Sequence, residues 1–277
     1  MDALTVSLIL FAAFLHASWN AVLRAGTDRL WSMTVMGLIG AALGIGLGLC
    51  IAWPAVASWP YLAASAVLQV GYGFLLVRAY RDGHLAHVYP LARGAAPLLV
   101  TLGGVALLAE RPPPLALTGV ALVSAGILVL ALGRDRPDRK TLWLALATGG
   151  FIASYMLVDG RGVRLSGHPI AYAAWLTALQ GLGMAASFIA VRRRLPAPPR
   201  GRAGLATCVA AVIGAAAYGI ALWAMGHAPV AEVSAMRETS ILFAVLIGAL
   251  MLREPLTLWR LAGGCSIAAG AVCISGA

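Results

Sequence analysis

Residues 93–110 read RGAAPLLVTLGGVALLAE, and residues 237–254 read RETSILFAVLIGALMLRE. At an offset of 144, Arg93 falls on Arg237, Leu98 on Leu242, Leu102 on Leu246, Gly104 on Gly248, Leu108 on Leu252 and Glu110 on Glu254. Beyond the two stretches the match continues with Leu117 on Leu261, Gly119 on Gly263 and Gly126 on Gly270. Leucine and glycine coincide easily in so apolar a chain. An arginine and a glutamate that keep the same mutual spacing in or beside two apolar runs do not. Weaker matches precede them: Ala17-Ser18-Trp19 with Ala153-Ser154-Tyr155, and Tyr72-Gly73 with Tyr218-Gly219. The chain reads as one unit written twice, with repeats over residues 1–136 and 137–277.

Composition says where such a unit lives. Of 277 residues, 61% are hydrophobic and 11% charged, with a mean hydropathy of +0.89. A soluble domain carries about 25% charged residues. A free cytosolic enzyme and a disordered chain are both excluded, since neither surface can be built from this composition. A bilayer core takes about 20 apolar residues as helix. On that measure the chain divides into ten spans, at about 3–23, 30–53, 60–80, 84–108, 114–133, 141–158, 168–191, 203–224, 228–251 and 256–276. The first is read as an uncleaved span, because it lacks a basic leader and its apolar run continues past Trp19.

The net charge of +10 comes from 19 arginines and Lys140 against ten acidic residues. These bases stand between apolar runs, which argues for topology signals and against a nucleic-acid surface. Fifteen lie in the loops after the odd-numbered spans, three (Arg111, Arg161 and Arg164) in the loops after the even ones, and Arg93 and Arg237 within spans. The positive-inside rule then places both termini outside, periplasmic for a protein of a bacterial inner membrane. Five spans per repeat is an odd number, so the second copy enters the membrane inverted. The expected fold is an all-α integral membrane protein of ten helices, two inverted five-helix repeats around a central cavity, as in secondary transporters. Cys50, Cys208, Cys265 and Cys273 fall in apolar stretches without CxxC spacing, so neither a metal nor a disulfide framework is expected.

Leu91-Ala92-Arg93-Gly94-Ala95-Ala96-Pro97-Leu98 with Ala109-Glu110-Arg111-Pro112 resembles the first repeat of the EamA-type exporters of the drug/metabolite transporter superfamily. Met236-Arg237-Glu238-Thr239-Ser240-Ile241 with Arg253-Glu254-Pro255-Leu256 resembles the second. The resemblance implies ten helices, a cavity between the halves and gating by helix pairs 3–4 and 8–9. It also implies export of amino acids and related metabolites; the aromatic amino acid exporters are similar in length.

Ionisable groups within a span are functional candidates because their burial is costly unless they are paired or wet. Arg93 lies between Pro90 and Pro97, which are expected to open the helix locally, and Tyr89 shares its face at i, i+4. Arg237 and Glu238 lie mid-span beside Thr239 and Ser240; one can face a cavity while the other locks onto a neighbouring helix. Glu232, nearer the end, reads as solvated. His16, Trp19 and Asn20 form one polar-aromatic face of the first span, answered by Ser154, Tyr155 and Asp159 in the sixth and by Gln69, Tyr72 and Tyr80 in the third. Glu110 and Glu254 read as interfacial caps for the helices that follow them. Glycines at 40, 44 and 48, and at 119, 126, 263 and 270, read as close helix contacts.

Together these residues suit a zwitterion with an apolar side chain. Its carboxylate would meet Arg237 or Arg93, its amine Glu238, and its side chain Trp19, Tyr72 or Tyr155. The candidate binding set is His16, Trp19, Asn20, Tyr72, Tyr89, Arg93, Tyr155, Arg237, Glu238 and Ser240. An internal salt bridge that sets helix register is the structural alternative. No GxxxxGK loop is present, so ATP is not expected to drive the cycle, and no cofactor is implied. GxSG and HExxH are absent too, which argues against an intramembrane protease. Efflux of other amphipathic solutes and a non-transporting membrane subunit are the rival functions. The expected partners are a small-molecule substrate and the lipid bilayer, and the sequence is equally compatible with a monomer and a homodimer.

Overall fold

The computed structural model describes residues 1–25, 28–81, 85–132, 138–252 and 257–277, and all the regular structure there is helical. Its helices are α1 (Ala3–Ala25), α2 (Arg29–Cys50), α3 (Trp59–Arg81), α4 (Leu85–Leu108), α5 (Pro114–Leu132) and α6 (Arg139–Leu165). They continue with α7 (Pro169–Arg192), α8 (Gly201–Met225), α9 (Val230–Arg237), α10 (Ser240–Leu252) and α11 (Leu258–Ser275). Eight of them (α1, α2, α4 to α8 and α11) are long and apolar enough to cross a membrane, which makes the chain a multi-pass membrane protein. The ninth expected span is divided into α9 and α10.

Several helix starts follow from single side chains. Asp28 accepts from the Trp31 amide at 3.1 Å, and Asp138 accepts from the Thr141 amide at 2.8 Å. A carboxylate at this position satisfies an orphan N–H and suits the positive end of the helix dipole. Outward-facing positions such as Leu4, Val67, Leu102, Leu107 and Val272 are exposed and apolar, as a lipid-facing surface requires.

Helix association follows small residues. Backbones approach most closely where α5 meets α11 and where α2 meets α7. A Cβ added at Gly126 would stand 2.6 Å from the Gly263 carbonyl oxygen, and one at Gly270 would stand 2.6 Å from the Gly119 carbonyl oxygen. The four glycines therefore meet crosswise between α5 and α11, Gly126 against Gly263 and Gly119 against Gly270. In α2, Gly44 and Gly48 meet Ala174 and Trp175 of α7. The other pairings come in matched sets: α1 with α8 and α3 with α6, then α4 with α6 and α1 with α10.

The loops at each end are tied across the bundle. At the arginine-rich end, Trp31 Nε1 donates to the Ala197 carbonyl at 2.8 Å, and Arg192 pairs with Asp28 at 3.3 Å. At the other end, the Ala55 amide donates to the Ser166 carbonyl at 3.0 Å. There Arg164 Nη2 donates to Glu110 Oε1 at 2.6 Å, and Arg164 also reaches the Met225 and Ala228 carbonyls. Glu110 is buried, and the same Oε1 accepts from the Val230 amide at 2.9 Å. It caps a helix, but α9 from across the bundle instead of α5 next in sequence. The left-handed backbone at Ala109 (φ 53°) ends α4 and lets the chain turn there. Glu232 is buried in α9 and not solvated. Glu254 lies outside the described residues, together with Arg134, Arg136 and Arg253.

Gly126→Val is expected to wedge α5 from α11 and to destabilise the fold by about 1–3 kcal/mol, since the group that must yield is backbone. Gly150→Ala in α6, where an added Cβ meets nothing within 4 Å, should leave stability unchanged or raise it by up to ~1 kcal/mol. Thermal unfolding of the two variants in one detergent checks both.

Candidate functional site

The α9–α10 break decides which way the buried charges point. The Glu238 amide donates to the Ala235 carbonyl and the Thr239 amide to the Met236 carbonyl, both at 3.1 Å, so the i→i−4 ladder tightens to i→i−3. Thr239 Oγ1 also takes the Met236 carbonyl at 2.7 Å. A hydroxyl competing for backbone acceptors loosens a helix without any proline. By contrast α4, with Pro90 and Pro97 inside it, runs on as one helix. The local opening expected at the prolines of α4 occurs instead at a proline-free step in the other half.

Glu238 at this break meets Arg93 of α4. Arg93 Nε donates to Glu238 Oε2 at 2.7 Å and Nη2 donates to Ser240 Oγ at 2.9 Å, while Nη1 lies 3.0 Å from His16 Nε2. A guanidinium has only donors, so His16 Nε2 accepts and the ring proton belongs on Nδ1. Arg93 and Glu238 are 6% and 4% exposed. One buried side chain thus ties α1, α4 and the start of α10 together.

Arg237, one residue before Glu238, projects elsewhere, as successive helical residues do. Its guanidinium lies over the Tyr218 ring, 5.1 Å from the centroid, a cation–π arrangement. Among the described residues it makes no hydrogen bond or ion pair, although it is 8% exposed. Tyr218 donates to Asp159 Oδ2 at 2.5 Å, Tyr172 donates to Asp159 Oδ1 at 3.0 Å, and Gln69 Nε2 approaches Oδ2 at 3.4 Å. Asp159 is fully buried behind these groups.

The two arginines border a cavity of about 180 Å³, enough for several waters or part of a small solute. His16, Trp19 and Asn20 of α1 line it, with Tyr72 of α3, Tyr155 of α6 and Tyr218 of α8. Tyr155 stands 6.0 Å from Tyr72 and 6.2 Å from Tyr218, ring centre to ring centre, in edge-to-face contacts. His16 and Trp19 form another such pair at 5.1 Å. From this aromatic floor the cavity follows Met33, Met36 and Gly37 in the first half of α2 and Gly214 in α8 toward the arginine-rich end.

Of the expected binding residues, His16, Trp19, Asn20, Tyr72, Arg93, Tyr155 and Arg237 thus come together around one cavity. Glu238 and Ser240 sit behind Arg93 and hold it; they are not part of the lining. The Tyr89 side chain lies outside the described residues, as does that of Tyr80. Tyr218, Gln69 and Gln180 also line the cavity. Gln69 and Tyr218 were visible in the sequence only as a face of the third span and a repeat match. The cue for Gln180 is a lone amide in the middle of an apolar helix.

Residues 139–276 match the model of the EamA-like transporter family. The chain belongs to the EamA-type transporters of the drug/metabolite transporter superfamily. No curated protein matches it in sequence. A crystal structure described only as that of a protein shares the fold of this EamA chain, with a TM-score of 0.77 and 21% identity. The superposition covers 98% of this chain and 96% of the other.

Glu238→Ala would leave Arg93 as an uncompensated charge at membrane depth, at an expected loss of about 3–5 kcal/mol in stability. Arg93→Met combined with Glu238→Leu should recover most of it. A double-mutant cycle on unfolding in detergent reads the coupling; additive single effects would show that the two side chains act independently.

Proposed function

We propose that this EamA transporter is a secondary exporter of amino acids with apolar, aromatic side chains included, and that it works by alternating access. The observation that carries this reading is a cavity, lined from both halves of the chain, that is bordered by two buried arginines. Charge in that position is costly and is retained where a pathway or a ligand needs it. The aromatic floor beside Arg93 and Arg237 offers an apolar resting place next to polar recognition, as small-molecule sites do.

Ten spans arranged as two inverted repeats, over 1–136 and 137–277, are supported by the matched helix pairings. Adding five to each span number converts α1 with α8 into α3 with α6, and α4 with α6 into α1 with the ninth span. The α5–α11 and α2–α7 contacts map onto themselves. A span interrupted at the cavity is a second feature of such transporters.

The arginine bias assigns the arginine-rich end to the cytoplasm of a bacterial inner membrane and both termini to the periplasm. In this conformation the cavity runs toward the cytoplasmic end, where an exporter loads. The Glu110–Arg164 pair, with the α8–α9 turn held against it, closes the periplasmic end, and release requires that contact to part.

Proteoliposome counterflow tests the reading. Saturable exchange of labelled phenylalanine or leucine, with none for glucose, is expected; inertness to every amino acid would overturn the amino acid assignment. Glu110→Gln in a cysteine-free background carrying Ala228→Cys tests the closure. Labelling of that cysteine by a membrane-impermeant thiol reagent should rise several-fold as the periplasmic contact loosens.

A further inference from the structure

The two arginines at the cavity are not equivalent. Arg93 already has a partner for each nitrogen: Glu238, His16 and Ser240. Arg237 is more than nine-tenths buried and lies face-on to Tyr218, with no hydrogen bond or ion pair among the described residues. Among the described residues, no carboxylate lines the cavity. Glu238 is turned away onto Arg93, and Asp159 is held by Tyr172, Tyr218 and Gln69.

From this inventory we infer that Arg237 is the anion subsite, and that the ligand's carboxylate is the charge the protein reads, its amino group being dispensable. The inference rests on the proposed transport site and narrows its substrate class to small amphipathic carboxylates, amino acids among them. A guanidinium presents parallel N–H donors that match a carboxylate in bidentate fashion, and such charge-assisted bonds strengthen away from water. An ammonium brought to the same wall finds Arg237 beside it, while Asp159 is covered by Tyr218, Tyr172 and Gln69 and Glu238 is bound to Arg93. The tyrosine floor then holds the apolar end of the ligand next to the subsite.

Three probes of one shape separate the charges: L-phenylalanine, 3-phenylpropionate and 2-phenylethylamine. Binding to the full chain in lipid nanodiscs is read by calorimetry and by quenching of Trp19, which lines the cavity. The first two should bind with affinities within about tenfold of each other. The amine should bind at least ~10-fold more weakly than either. Arg237→Gln should weaken both carboxylates by ~10- to 100-fold. Arg237→Lys, which keeps the charge and loses the fork, should restore part of that loss.

Equal binding of the amine and 3-phenylpropionate to the wild type would overturn the inference, and so would unchanged carboxylate binding to Arg237→Gln or no binding of any probe. The wild-type ranking stands as a test even if the variants do not fold. Carboxylate-selective binding without flux would sink the transport reading and leave the subsite intact. Flux of amines without carboxylate preference would do the reverse.

Discussion

The structure turns on a buried ion pair. Arg93 and Glu238 come from opposite halves of the chain, and neither could stay charged at membrane depth alone. Their contact brings α4 against the α9–α10 break, and His16 and Ser240 each meet one of the two terminal guanidinium nitrogens. Once Glu238 is committed to Arg93, the helical step of about 100° turns its neighbour Arg237 to a different side. The electrostatics of the cavity therefore follow from a contact made behind its wall. Pairs of this kind are weak stabilisers and strong specifiers when their partners are fixed, which suits a joint that must hold register between two bodies.

Other contacts divide into those built to stay and those able to part. Where α5 meets α11, backbone packs on backbone at Gly119, Gly126, Gly263 and Gly270, with no side chain left to rearrange. The end bearing Arg164 is held by one half-exposed ion pair, one capped amide and two carbonyls. Arg164 is open to water there while Glu110 is buried, so the pair can part only if water also reaches Glu110. One seam is thus closed by backbone packing and one end by side-chain hydrogen bonds and an ion pair.

How much was legible in the sequence follows from the range of each interaction. The apolar membrane helices and the two buried arginines are properties of spacing and composition, and they could be read without coordinates. The facing glycines were legible for the same reason, since a repeat across a pseudo-twofold predicts self-contact. Partner choice was not. Glu110 precedes Pro112 in sequence and reads as a local cap, but its oxygen serves Val230 across 120 residues. Glu232 looked solvated because it lies near a helix start, yet folding covers it. Prolines advertised a break in α4, which runs on as one helix, whereas the span at the matching position is interrupted where the Thr239 hydroxyl takes a backbone carbonyl. Tyr218 gains its role only once Asp159 and Arg237 approach it from two other helices.

Two arginines at matching positions of the two similar stretches stand at one cavity, and the residue that follows each sets them in different surroundings. The residue after Arg93 is Gly94; at offset 144 the residue after Arg237 is Glu238. A strict copy would have placed two carboxylates or none beside two guanidinium groups. With two, each arginine could be neutralised and the cavity would read no charge. With none, the wall would hold two uncompensated cations, a burial too costly for a marginally stable fold. One carboxylate for two arginines gives an intermediate outcome. One cation becomes part of the frame, and the other keeps its donors for what enters the cavity. The departure from the copy at position 238, more than the match at 237, is what leaves the two arginines in unlike surroundings.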